Sequence, residues 1–448
     1  MDEDAASVPV DHNVTEWRLD NGLQVLIRPV HTAPVATCWM WYRVGARNEL
    51  PGRTGLSHWV EHMMFKGTPT FPKGSIMRLV NKNGGVLNGF TSHDYTAYFE
   101  TLPSERLELG LRIEADRMAN STFDPDEVEA ERTVIISERQ GDENSPNFLL
   151  HEELMALAFR AHPYGHQVIG WKEDLQRITR ADLWTHYRTY YGPHNALLVL
   201  VGDLQVEACR ARIEELFGPI PAGPAPPPVL AVEPPQTGER RVVVRQPGTA
   251  QYFQAVFHVP DARHPDTFPL MVLEAVLAGA SSMTFSDGAT PTHRSARLYK
   301  ALVETELAVR AGCDFSPGID PGVFYFYATV RDGRSLEEVE QAMWEQVRRL
   351  REEPVSQEEL HKAQKQARAQ FAYALESVTN QAAWLGYLEM VDSYARFFTL
   401  LDDLARVTAD DVQRVAQAYL TETNRSVGWF LPTQEPAGAE ASLTDVQL

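Results

Sequence analysis

Apolar and polar positions along this chain recur with two periods, and the period assigns the elements. Asp124, Pro125 and two acidic residues look like a cap, a first-turn proline and a dipole-matched first turn, which predicts a helix starting at Pro125. In that helix Val128, Glu131, Ile135 and Glu138 fall at i, i+3, i+7 and i+10 and share one stripe. Two carboxylates thus interrupt an apolar face, where an unpaired ionised group is costly. The alternative is a solvated stripe on a helix that buries Val134 and Ile136 instead. Gly84-Gly85 followed by alternating residues to Thr91 reads as a turn and a strand. The apolar run Phe268 to Leu277 holds no histidine and reads as a packing helix.

One pattern occurs twice. Thr179 and Asp182 form a Thr-x-x-Asp cap, a helix runs through Tyr187 and Tyr190-Tyr191, and Asn195 leads into the apolar run 196–201. Thr408 and Asp411 open the same series, through Tyr419 to Asn424 and the run 425–431, and threonine and asparagine are 16 apart in both copies. The chain therefore predicts two homologous α+β domains related by internal duplication. Between them lies a stretch with Pro219, Pro221, Pro224, Pro226, Pro227, Pro228, Pro234 and Pro235, which reads as an extended spacer. The expected plan is a first domain over 1–218, a linker over 219–238, a second domain over 239–436 and a tail over 437–448. Residues 281–293, rich in Ser, Thr, Gly and Pro, read as an inserted surface loop.

Composition narrows the function. With 448 residues, 44% apolar and 23% charged, the chain exceeds one ordinary core and reads as a soluble globular protein. No run approaches the roughly 18 apolar residues of a membrane span. Three scattered cysteines suggest a reducing compartment and neither a disulfide framework nor a cysteine metal site. The acidic start Met1 to Ser7 lacks the basic-then-apolar pattern of a leader, so the expected location is cytoplasmic. A net charge of −20 argues against nucleic acid as a partner. It leaves two readings, a solvating surface or an attraction for basic peptides.

The chemistry lies in His58-Trp59-Val60-Glu61-His62. On a helix His58 and His62 stack one turn apart, with Glu61 beside them. Two such imidazoles suit a tetrahedral zinc, Glu61 can take a proton from the bound water, and the order is the inverzincin signature. A helix with two exposed or hydrogen-bonded histidines is the plain alternative. A catalytic zinc needs a third protein ligand, and the Glu131 and Glu138 stripe is the best source.

From about Trp17 to Gly218 the chain resembles the zinc half of the pitrilysin and mitochondrial-processing-peptidase family. The matches are Asp20-Asn21-Gly22-Leu23, the H-x-x-E-H segment, Gly84 to Thr91 with Asp94-Tyr95-Thr96, Glu131-Arg132 with Glu138, His162-Pro163-Tyr164-Gly165 and Ile169-Gly170. The resemblance implies a glutamate ligand about 76 residues after the second histidine, which is Glu138, with Glu131 as a carboxylate that orients His62 or the water. One zinc ion per chain would sit on His58, His62 and Glu138, with Glu61 as the catalytic base. The resemblance also implies that the strand carrying Gly85, Asn88, Gly89, Phe90 and Thr91 is an exposed sheet edge that pairs with an extended substrate backbone. Gly89 stands where the family usually has alanine. The two halves would form a clamshell around a chamber.

In many members the second half supplies an arginine and a tyrosine, seven residues apart, that polarise the substrate carbonyl. Alignment puts Leu302 and Val309 there, and neither side chain can donate a hydrogen bond; Arg297, Tyr299 and Arg310 are the nearby substitutes. Losing an oxyanion donor costs about 3 to 4 kcal/mol. The expectation is a zinc-dependent endopeptidase or oligopeptidase acting on peptides or unfolded segments. It would serve as the H-x-x-E-H subunit of a heterodimer whose homologous partner supplies the missing pair, with a homodimer as the other assembly. A non-catalytic scaffold or peptide-binding subunit of the same fold is the alternative.

Overall fold

The structure, a computed structural model, describes residues 13–281 and 294–433. The tail 437–448 and all of the expected loop except Ser281 lie outside the described residues.

The first sheet contains β1 (Thr15–Arg18), β2 (Gln24–Pro29), β3 (Val35–Tyr42), β4 (Val86–Thr91), β5 (Thr96–Pro103) and β6 (Ala196–Gly202), in the order β1-β2-β6-β3-β5-β4. The second contains β7 (Arg240–Pro247), β8 (Tyr252–Val259), β9 (Ala308–Phe315), β10 (Gly322–Val330) and β11 (Arg425–Thr433), in the order β7-β11-β8-β10-β9. Apart from the extra edge strand β1, the two orders are the same. Each has one parallel pair, β2 with β6 and β7 with β11, followed by three antiparallel pairings. The duplication legible at the ends of the halves therefore runs through both sheets.

The repeated spacing has a local cause. Thr179 with Asp182, and Thr408 with Asp411, each close a capping box. Asn195 Nδ2 donates to the Tyr190 carbonyl at 2.9 Å and the Arg43 carbonyl at 3.3 Å. Asn424 Nδ2 does the same with Tyr419 at 2.8 Å and His258 at 2.9 Å. Each asparagine thus fastens the end of its helix to the neighbouring strand. The spacer between Phe217 and Arg240 has neither helix nor strand, and Glu233 ties it to the first half by accepting the backbone N–H groups of Arg160, Ala161 and His162 at 2.8–3.1 Å.

Alternation along the strands sends the two faces of the first sheet to different cores. Val25, Ile27, Met40, Leu198 and Leu200 pack beneath the helices of the first half. Leu26, Trp39, Trp41, Leu197 and Val199 join a core made largely by the second half. Two helices are exchanged between the halves. The Pro146–Ala158 helix packs on β7, β8 and β11 and forms a smaller cluster with Val256, and the Val378–Val391 helix packs on β3 and β6 and enters this core.

Between the halves is a cavity of about 580 Å³ with Tyr95, Tyr164, Tyr325 and Tyr387 in its walls, so the duplicated α+β clamshell is the observed architecture. A polar seam borders it. Asp94 accepts from Tyr164 Oη at 2.6 Å and the Ile319 N–H at 2.9 Å, while Asp320 meets Arg47 Nε at 2.9 Å and His162 Nε2 at 3.0 Å. The motifs around Asp94 and His162 therefore close the halves on each other. All three cysteines are buried and free. No helix among the described residues is long and apolar enough to cross a membrane.

Candidate metal centre

The histidines sit on the Leu56–Met63 helix, which is locked at its start. Gly55 has φ 90°, a conformation that favours glycine, and the Ile169 carbonyl would lie 2.6 Å from any Cβ there. The Glu49 carboxylate accepts the Gly55 N–H at 2.7 Å and the Ser57 N–H at 2.6 Å, and Ser57 Oγ bonds His186 Nε2 at 3.0 Å. Trp59, Val60 and Met63 enter the core, which leaves His58 and His62 on the other side, towards the Pro125–Glu143 helix.

That second helix follows its sequence pattern. Asp124 caps it through the Asp126 N–H at 2.9 Å. Val128 and Ile135 are fully buried and Glu131 is 4% exposed, whereas Val134 is 42% exposed. Val128, Glu131 and Ile135 therefore form the buried face and Glu138 stands exposed at its end, while of the alternative pair Val134 is exposed and Ile136 is only partly buried.

The two helices bring His58, His62 and Glu138 together with one ligand atom from each, all within 4.8 Å of one another. Among the described residues they are the one such group of His, Cys, Asp or Glu. Glu138 is open to solvent, and its Oε2 lies 3.7 Å from His62 Nε2. The opposite nitrogen, His62 Nδ1, is 2.8 Å from Glu131 Oε1, and Lys66 Nζ pairs with the other Glu131 oxygen. His58 Nδ1 is buried without a hydrogen-bond partner. Burial, then His62, push the His58 imidazole down to about 3, so it is neutral with a free lone pair. An orphaned imidazole nitrogen, a second imidazole and a carboxylate form a donor set that fits zinc.

Glu61 lies beside this group, 7% exposed, and Thr91 Oγ1 donates to its Oε2 at 2.7 Å. Burial raises its carboxyl above the usual range, and the Thr91 hydrogen bond opposes that. For His62, burial pulls down, yet the Glu131 bond and the neighbouring carboxylates leave it raised.

β4 is the last strand of its sheet, with Asn88 exposed. Phe90 turns inwards, with its ring edge to Trp39 and Trp41 at 6.2 and 5.9 Å between centroids. A methyl group on Gly89 would come within 2.8 Å of Tyr98 and 3.1 Å of Phe65, so glycine in place of alanine is a packing requirement here. Gly85 precedes the strand, and a Cβ there would lie 2.8 Å from the Thr101 carbonyl.

The second half has no equivalent site among its described residues. The Thr267–Ala278 helix lies between β8 and β9 as the Leu56–Met63 helix lies between β3 and β4, and packs as expected. It also buries Glu274, which accepts from Ser281 Oγ at 2.6 Å. Leu302 is buried and Val309 is 60% exposed on β9. Arg297 is engaged by Glu359 at 2.8 and 2.9 Å, and Arg310 lies over the Tyr327 ring. Sequence reasoning passed over Lys66, Glu49 and the Thr91 hydroxyl as partners of the site. Of these, Lys66 alone carried a local signal, four residues after His62.

Residues 24–171 match the family described as insulinase (peptidase family M16), and residues 177–367 match the peptidase M16 inactive domain. The chain belongs to peptidase family M16. A relative named zinc protease PqqE, from Helicobacter pylori, is 29% identical over 439 residues, covering 95% of this chain and 94% of the relative. The mitochondrial-processing peptidase subunit beta of Blastocladiella emersonii is 27% identical over 415 residues, covering 92% and 87%. The crystal structure of a protease from Helicobacter pylori superposes with a TM-score of 0.88 at 28% identity, over 94% of this chain and 99% of that one. In this M16 chain the region matched as inactive runs from the end of the first half through most of the half without the histidine pair.

Proposed function

We propose that this chain is a zinc-dependent endopeptidase that hydrolyses peptides or unfolded segments. The observation that carries the reading is the convergence of His58, His62 and Glu138 ligand atoms within 4.8 Å, next to a buried Glu61 held by Thr91. Zinc on those three residues would supply Lewis acidity and a water of lowered pKa. Glu61, whose proton affinity burial raises, takes a proton from the attacking water and returns it to the leaving nitrogen. Glu131 fixes the ring of His62 through Nδ1. The free edge of β4, Val86 to Thr91, with Gly85 leading into it, pairs with the extended substrate backbone, which gives affinity through main-chain hydrogen bonds with little sequence preference.

The chain works as one subunit of an assembly. Leu302 and Val309 cannot donate a hydrogen bond, and of the nearby substitutes Arg297 is occupied by Glu359 and Arg310 lies over the Tyr327 ring. This favours a homologous partner subunit over Tyr299 as the source of the donors that polarise the carbonyl. The same two positions favour a second reading, peptide binding without turnover. A mixed peptide library, read by mass spectrometry with Glu61→Gln as the blank, separates them. The expected result is cleavage by the zinc-loaded chain with its partner that vanishes in the mutant. Peptide binding without cleavage in both proteins, with every candidate partner present, refutes turnover. Full activity of the purified homodimer refutes the heterodimer.

A further inference from the structure

We propose that Lys66 is a positioning residue for the metal, acting through Glu131 on His62. The inference rests on the metal reading of His58, His62 and Glu138. Lys66 lies outside the H-x-x-E-H segment, in the turn that follows its helix, where its N–H bonds the Met63 carbonyl at 3.0 Å. From there its ammonium reaches Glu131 on the other helix. Glu131 therefore has both oxygens engaged, Oε2 by Lys66 and Oε1 by His62 Nδ1 at 2.8 Å.

This arrangement fixes the carboxylate as a two-point clamp fixes a plate. A carboxylate held by a single hydrogen bond can turn about its terminal torsion, which is broad and has no sharp staggered wells. With one oxygen anchored to the ammonium, the other stays aimed at Nδ1, which selects the Nδ1–H tautomer and leaves the Nε2 lone pair facing Glu138. The Glu131 side chain is 5% exposed and that of Lys66 25%, so the pair is poorly screened by solvent. The ammonium also offsets a buried negative charge that no other cation meets at ion-pair distance among the described residues, apart from His62 itself.

The test reads zinc affinity by competition with a chromophoric chelator, without measuring hydrolysis. Lys66→Met should weaken zinc binding about 10- to 100-fold, the range seen when an outer partner of a metal ligand is lost. Lys66→Arg should recover all but a few-fold of it. In a Glu131→Gln background, Lys66→Met should add nothing, because the clamp is already broken. Nitrogen NMR of the wild-type ring should show His62 as the Nδ1–H tautomer, and this readout does not depend on a folded variant. Unchanged affinity in Lys66→Met, an additive loss in the Glu131→Gln background, or the other tautomer in wild type each overturns the role of Lys66. Wild type that binds no zinc overturns the metal reading as well. Zinc binding without peptide cleavage, with every candidate partner present, overturns the peptidase reading alone.

Discussion

Thr91→Val tests whether the hydroxyl on the edge strand serves the base or the substrate. Valine keeps the β-branched shape and the strand preference of threonine and exchanges one hydroxyl for a methyl group. What is lost is the 2.7 Å hydrogen bond to Glu61 Oε2, in a site where Glu61 is 7% exposed. A hydrogen bond to a charged group is worth about 1.5 to 3 kcal/mol, and about 1.4 kcal/mol is a factor of ten in rate. If that bond aims the carboxylate, kcat should fall about 10- to 150-fold. A second effect opposes this one. The hydrogen bond holds the proton affinity of Glu61 down, so its loss makes the base stronger and draws the result towards the lower end of the range. Steady-state kinetics on one cleaved peptide, in the zinc-loaded assembly, separates kcat from KM, and chelator competition checks that zinc affinity is unchanged. Thr91→Ser, which restores the donor, should recover most of the rate. A raised KM at unchanged kcat would refute the reasoning, since it would mean that Thr91 acts on substrate binding alone.

Other perturbations test the metal, the seam and the exchanged helix. Zinc at a hundredfold over its Kd stabilises the native state by about 2.7 kcal/mol, so chelation should lower Tm by a few degrees in calorimetry and Glu138→Gln should abolish the difference. For Asp320, burial raises the carboxyl, but the His162 bond and Arg47 win and hold it below the usual range. A depressed folded pKa means stability present above the unfolded value of about 3.9 and lost as pH falls through the folded one. The Tm gap between wild type and Asp320→Asn should therefore be widest above about pH 5 and close towards pH 3; a gap independent of pH would refute the ion-pair role. Gly386→Ala sets two terms against each other. Helix propensity favours alanine by about 1 kcal/mol, but its Cβ would fall on the Trp41 indole, 2.8 Å from Cζ2, and overpacking costs about 1 to 3 kcal/mol. Tm should drop, and a rise would mean that the Val378–Val391 helix does not press on the first sheet.

The part of the site that was legible in the sequence is the part that depends on spacing within one element. His58, Glu61 and His62 share a turn, and Glu131 and Glu138 share a stripe because seven residues make nearly two turns. Burial of Val128 and Ile135 then settles which face is inside. The repeat was legible for the same reason, since a capping box and an asparagine 16 residues on lie within one helix-to-strand unit. What escaped depends on partners far apart in the chain. Lys66 and Glu131 are on different elements, so neither residue reveals the other. The exchanged helices Pro146–Ala158 and Val378–Val391 escaped for a different reason. Each packs on the opposite sheet as well as against its own half, so neither keeps the polar face that would mark a surface helix. The exchange bears on the site. Trp39 and Trp41 pack Phe90 of β4 on one side and the second half on the other. The edge strand proposed to hold substrate is thus braced by residues from beyond the spacer, and loosening the two halves should disturb the site without touching a single ligand.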